Sequence, residues 1–331
     1  MVKYRTPKEI FACRREKSTN LYCVCGNLKT GELMTKLPSR EQLIRRGVRY
    51  YNTSMTIKSI KKIFSGKKNL GKEIWIDAVS GPTRTLWYGW ENTEPTPVYF
   101  DLHGGGFMLG CADDDEPMNL EIEKQIGCKI VSIDYAKAPR FPFPFAVNQI
   151  YAVIDYLYEH SHEYGIDPGK MAIGGHSAGG NLSAVICLKA IEKRKIKFVC
   201  QILDYPPLDL ATSALNKPQP RGSVPPKLAM MFDACYVDPA LAREPYVSPV
   251  FASPERLSGL PPALIILAGK DSLHDEGLKY CGLLGEARVV TECLEYPDSP
   301  HGFTYGQSAD ALDARRKMAA FLKKHLYEKG T

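Results

Sequence analysis

The sequence predicts an α/β fold with a mostly parallel sheet, on three observations. Short apolar runs such as Ala263-Leu264-Ile265-Ile266-Leu267-Ala268 alternate with amphipathic helical stretches. Strands of that kind have no polar face, so helices must cover both sides of the sheet. Glycine-rich turns directly follow two of the strands, at residues 103–106 and 174–180.

The elements follow in order. Ser39 and Gln42 have capping-box spacing, which starts a helix running to about Ile63. Its apolar positions, Leu43, Ile44, Val48, Tyr51, Met55 and Ile60, are only loosely periodic. Glu73–Ala78 and Thr83–Trp90 are rich in β-branched and aromatic residues and flank Ser80-Gly81-Pro82, so they read as a hairpin. Strands are then expected at Val98–Leu102, Lys129–Asp134, Met171–Gly174, Phe198–Leu203, Ala263–Ala268 and Val289–Leu294. Helices are expected at Asp115–Ile126, Phe145–Tyr158, Ala178–Lys193 and Asp310–Tyr327, with Asp275 and Glu276 in the first turn of another. From Tyr205 to about Ser253 the alternation stops. That stretch carries Pro206, Pro207, Pro218, Pro220, Pro225 and Pro226 and one helix-like run near Lys227–Tyr236. A long insertion between core strands is usually a functional lid. The expected organisation is an N-terminal cap segment over residues 1–72, a core in two parts at 73–204 and 256–331, and a cap insertion at 205–255.

The chain has 331 residues, 44% of them apolar, enough for one large core. No run approaches the 18 or so apolar residues of a membrane helix. The first residues lack the apolar stretch of a signal peptide. A soluble, cytoplasmic chain is the expectation. The charge is unevenly spread. Residues 1–72 hold 18 Lys and Arg against four Glu, a surplus of 14, which leaves −8 for the rest given +6 overall. A solvated basic face accounts for this, with attraction to anionic surfaces as the alternative. No nucleic-acid motif accompanies it. Ten cysteines follow no framework, and Cys128, Cys187 and Cys200 sit in apolar surroundings as free thiols do. Cys23-Val-Cys25 lacks zinc-ligand spacing, so no metal is expected.

Gly175-His176-Ser177-Ala178-Gly179 follows a strand and precedes a helix. Such a turn presents the serine Oγ at the strand's carboxyl end and leaves no room for side chains at the flanking glycines. The helix behind it aims N–H groups at developing negative charge. His103-Gly104-Gly105-Gly106-Phe107 follows the strand Val98–Leu102, and its backbone is free to approach one oxygen atom. A phosphate loop is the competing reading, but the lysine of a P-loop is absent. A serine nucleophile needs a base oriented by a third group. Downstream of Ser177 stand His274, His301 and His325. His325 lies on a basic helix face and is expected to be solvated. His301 lies in a loop after the last strand, where it can swing over Ser177. Asp271 follows its strand closely at the same sheet edge, with Asp298 as its competitor. His176, although adjacent to Ser177, is expected to pack beside the turn.

Together these motifs resemble the hormone-sensitive-lipase-like family of bacterial carboxylesterases. The likeness extends to Ala138-Pro139, Phe143-Pro144, Ile166-Asp167-Pro168, Tyr246-Val247-Ser248-Pro249 and Asp271-Ser272-Leu273-His274-Asp275-Glu276-Gly277. It implies an α/β-hydrolase fold with a helical cap, a triad of Ser177, Asp271 and His301, and oxyanion donors at Gly104, Gly105 and Ala178. It also implies hydrolysis of small or short-chain acyl esters with no cofactor. His176 departs from the family's usual Asp or Thr, Ala136-Lys137 from its Arg-Leu, and Arg140 from its frequent Glu. The aromatic positions Phe107, Tyr205 and Phe303, with Phe232 and Tyr236, either line the substrate site or belong to the core. Alternatives on the same triad are a sugar or xylan deacetylase, a lactonase or an amidase. A non-catalytic ligand receptor is the alternative outside enzymes. The expected partner is a small-molecule ester, with a homodimer left open.

Overall fold

In the computed structural model, residues 3–4, 37–65 and 69–328 are described. Cys23 and Cys25, and about half of the basic 1–72 segment, lie outside them. The elements are β1 Lys3–Tyr4, α1 Arg40–Ser65, β2 Lys72–Ala78, β3 Gly81–Tyr88, β4 Thr96–Leu102, α2 Glu116–Ile126, β5 Lys129–Ile133 and α3 Phe145–Glu159. They continue with β6 Ile166–His176, α4 Ala178–Lys193, β7 Phe198–Asp204, α5 Pro226–Tyr236, β8 Ala263–Lys270, α6 His274–Glu286, β9 Thr291–Pro300 and α7 Ala309–Tyr327.

The strands form one sheet in the order β1-β9-β8-β7-β6-β4-β5-β3-β2. From β5 through β9 all neighbours are parallel. The β2–β3 hairpin and the two-residue β1 pair antiparallel at the edges. The expected strands are therefore all present, and β1 is the one the sequence pattern did not signal, since two residues carry no periodicity.

Alternate residues of each central strand enter different cores, as full coverage requires. Val98, Phe100 and Leu102 of β4 join one apolar cluster, and Tyr99 joins the other. On β8, Ala263, Ile265 and Leu267 separate likewise from Leu264, Ile266 and Ala268. Helices α3, α4 and α6 cover the first face, and α2 and α7 the second. No helix among the described residues is long and apolar enough to cross a membrane.

The predicted capping box starts α1: Gln42 N donates to Ser39 Oγ at 3.3 Å, and Ser39 N to Gln42 Oε1 at 3.0 Å. Helix α1 packs on α5 of the proline-rich insertion. Gly47 permits the approach, because a Cβ there would lie 2.3 Å from Cys235 Sγ. Arg40 donates to Val237 O at 3.2 Å, and Lys58 Nζ pairs with Asp114 at 2.6 Å. These contacts tie α1 both to the insertion and to the loop after the HGGGF turn. Cys128, Cys187 and Cys200 are free and buried. His325 differs from expectation. It is half-buried with its ring 4.5 Å from that of Phe321, and burial lowers its pKa.

Candidate active site

Ser177 sits between β6 and α4 with φ 51° and ψ −118°, a conformation L-residues rarely adopt. Two glycines make that turn feasible. The carbonyl of Leu102, at the end of β4, lies in a slot between them. A Cβ on Gly175 would be 2.3 Å from that oxygen, and a Cβ on Gly179 only 1.8 Å. The glycine pattern of the motif is thus a packing requirement that brings β4 against the turn.

The same packing delivers the glycine turn. Gly104 lies beside the nucleophile, since a Cβ there would be 3.6 Å from Ser177 Cβ. Gly105 and Gly106 have φ of 120° and 59°. Ala178, the first residue of α4, follows Ser177 directly. His103, the motif's histidine, is fully buried and stacked on Tyr135 at 4.1 Å, with its Nδ1 2.7 Å from Gly104 O. Burial pushes its pKa down to about 3, so it is neutral and braces the turn.

The structure brings Ser177, His301 and Asp271 together across 124 residues of sequence. His301 Nε2 is 3.0 Å from Ser177 Oγ, and His301 Nδ1 is 2.6 Å from Asp271 Oδ2. The Asp271 side chain is 1% exposed. The competitors lie elsewhere. Asp298 is exposed and paired with Lys270 at 2.9 Å. His274 opens α6 and faces Asp275 and Glu295. His176 is buried with Nδ1 2.7 Å from Asp204 Oδ2, beside the turn as expected. The loop bearing His301 is held by Arg315, whose Nη1 donates to Thr304 O at 2.7 Å and Gly306 O at 2.8 Å.

Ser177 and His301 open into a cavity of about 450 Å³, floored by Gly104 and Gly105. Phe107 and Tyr205 line it, and Tyr205 meets His301 edge-on at 4.9 Å. Phe303 does not line it and is a correction. Gly302, with φ 77°, turns the chain, and the Phe303 ring is buried against Tyr296 at 5.0 Å in the second core. Tyr236 is likewise core, stacked beneath Phe107 at 3.8 Å, whereas Phe232 of the insertion reaches the cavity.

Lys217 and Asp233 in the wall were not signalled by the sequence. Lys217 pairs with buried Glu276 at 2.6 Å, and Glu276 also accepts from Leu208 N at 2.7 Å. This anchors the insertion to α6. Burial pushes Glu276 up to about 7 against the pull of Lys217. Asp233, partly buried on α5, is also pushed up to about 7 by burial. Neither Lys217 nor Asp233 lies in a motif. Between residues 217 and 276 the chain runs through α5 and β8, so only the folded insertion pairs them.

Comparison with known proteins agrees with this architecture. Residues 99–305 match a family described as having the alpha/beta hydrolase fold. Esterase LipI of Mycobacterium tuberculosis is 33% identical over 70% of this chain and 74% of its own length. The carboxylic ester hydrolase LipN of the same organism is 38% identical over 63% of this chain, and the match spans 57% of LipN. Among solved structures, a thermostable esterase from Pseudomonas putida superposes with a TM-score of 0.73 at 29% identity. That match covers 82% of this chain and 91% of the other. A hyperthermophilic esterase from Pyrobaculum calidifontis gives 0.70 at 30% identity, covering 86% and 92%.

Proposed function

This chain belongs to the α/β-hydrolase-fold family, in its hormone-sensitive-lipase-like branch, and from that premise we propose that it is a serine carboxylesterase acting on small or short-chain acyl esters. One observation carries the reading. Ser177, His301 and Asp271 form a hydrogen-bonded chain at the floor of a cavity whose remaining floor is the Gly104-Gly105 turn.

Ser177 Oγ attacks the ester carbonyl and His301 Nε2 takes its proton. Asp271 accepts from His301 Nδ1, which sets the tautomer and stabilises the imidazolium. The N–H groups of Gly104, Gly105 and Ala178 receive the oxyanion, a contribution whose loss costs ~10²–10³ in rate per donor. Collapse breaks the carbonyl carbon–alkoxy bond, and the alcohol leaves with the proton from His301. Water attacks the acyl-serine, its proton passes to His301 and then to Ser177 Oγ, and the acid departs. Phe107 and Tyr205 supply apolar wall to the bound ester. The insertion and α1 act as the cap over this site. A cavity of about 450 Å³ is of small-molecule size, which favours short acyl chains.

The test is a p-nitrophenyl ester series from acetate to palmitate on the wild type and on Ser177→Ala. Rates that peak at short chains and vanish in the variant are expected. A variant hydrolysing the acetate at the wild-type rate overturns the nucleophile, and a peak at C12 or longer overturns the short-chain preference. Covalent labelling of Ser177 by a fluorophosphonate separates an enzyme from an inert receptor, which would not react.

A further inference from the structure

Beside the nucleophile turn, three side chains from separate elements converge. Asp101 comes from β4, Asp115 from the 3-10 turn Ala112–Asp115, and His176 from the end of β6. One donor atom from each lies within 4.8 Å of the other two, and none of the three residues is more than 5% exposed.

Each residue is held from behind. Asp101 Oδ2 accepts from Asn119 Nδ2 at 2.9 Å and Ser132 Oγ at 2.6 Å. Asp115 Oδ1 accepts from the Tyr305 hydroxyl at 2.6 Å. His176 Nδ1 is engaged by Asp204 Oδ2 at 2.7 Å, which leaves Nε2 as the ring nitrogen able to ligate. The other oxygens, Asp101 Oδ1 and Asp115 Oδ2, are buried and have no hydrogen-bond partner. Two unmatched carboxylate oxygens inside a protein are costly. Among the described residues, no Lys or Arg bonds to Asp101, Asp115 or Asp204, and the basic group against them is the His176 imidazole.

We propose that Asp101, Asp115 and His176 form a divalent-cation site beside the nucleophile turn. Two carboxylates and one imidazole suit Mn²⁺ or Zn²⁺ better than a soft ion. An imidazole held through its far nitrogen by a carboxylate is how metal-ligating histidines are commonly oriented. The ion takes no part in ester hydrolysis. It joins β4, the 112–115 turn and the residue next to Ser177, and so stiffens the turn that carries the nucleophile.

The test uses the full-length, untagged protein, stripped with a chelator and equilibrated with Mn²⁺ alone or with Zn²⁺ alone. Bound ion is measured by metal analysis after gel filtration, and by electron paramagnetic resonance for Mn²⁺. About one equivalent of one of these ions is expected, together with a higher melting temperature. Asp115→Asn, nearly isosteric, should lose it. Asp204→Asn, which removes the carboxylate behind the imidazole, should weaken affinity roughly 10- to 100-fold. Less than half an equivalent of either ion on folded wild type overturns the proposal. So does wild-type uptake in both Asp101→Asn and Asp115→Asn. In either case, water or a shared proton satisfies the two oxygens. Should the variants fail to fold, the wild-type stoichiometry still decides. The readout involves no ester, so its failure leaves the esterase reading untouched.

Discussion

Substituting Gly179 by alanine tests whether the slot around the Leu102 carbonyl holds the active centre together. The new Cβ would lie 1.8 Å from that oxygen, 2.5 Å from its carbon and 2.7 Å from the His103 carbonyl oxygen. All three are backbone atoms, so no side chain can swing aside. A tolerable carbon–oxygen contact is about 3.3 Å, so α4 and the end of β4 must separate by roughly 1.5 Å. Ser177 and Ala178 ride on one side of that gap, and Gly104 on the other. Misplacing reacting groups by about 1 Å costs ~10²-fold in rate. Overpacking a filled site costs about 1–3 kcal/mol. The assay pairs initial rates on p-nitrophenyl acetate with urea unfolding. Gly282→Ala is the control, because its Cβ meets nothing within 4 Å inside α6. There the better helix former should add about 0.5–1 kcal/mol and leave the rate unchanged. A Gly179→Ala enzyme within threefold of the wild-type rate, with an unmoved urea midpoint, would refute the reasoning.

Asp271→Asn should lower kcat by ~10⁴-fold with little change in KM, since the carboxylate orients and stabilises His301 without touching the ester; a loss under tenfold would remove Asp271 from that role. Arg315→Ala leaves the Thr304 and Gly306 carbonyls without their donor. It should cost on the order of 3 kcal/mol in stability, and kcat should fall roughly 10- to 100-fold as the His301 loop loosens. Unchanged kinetics in a destabilised protein would confine Arg315 to folding. Burial raises the Asp233 carboxyl from its ordinary 3.8 to about 7. A carboxyl of that kind supports folding fully below the unfolded value, and its contribution is lost as pH rises through the folded one. Asp233→Asn should therefore gain melting temperature relative to wild type between pH 5 and pH 8. A difference that stays constant across that range counts against the assignment.

Sequence by itself determined what depends on a few adjacent residues. Apolar runs marked the central strands, because a strand buried on both faces has no polar position to spare. The capping pair Ser39 and Gln42 marked the start of α1. The glycines around Ser177 marked the strained turn, since no residue with a Cβ fits beside Leu102. Chain order and loop placement singled out Asp271 and His301 from their neighbours, and the fold brings both to Ser177. Tertiary structure decided what depends on register between distant strands and on how the insertion packs. It placed Phe107, Tyr205 and Phe232 on the cavity while sending Phe303 into the core, because the Gly302 turn separates Phe303 from His301. It paired Lys217 with Glu276, and it gathered Asp101, Asp115 and His176 into one buried cluster. Nothing in its own stretch of chain tells what each of those residues meets. Their chemistry exists only where β4 and β6 lie side by side in parallel register, which pairs Asp101 with Gly174 and sets His176, the last residue of β6, near Asp115.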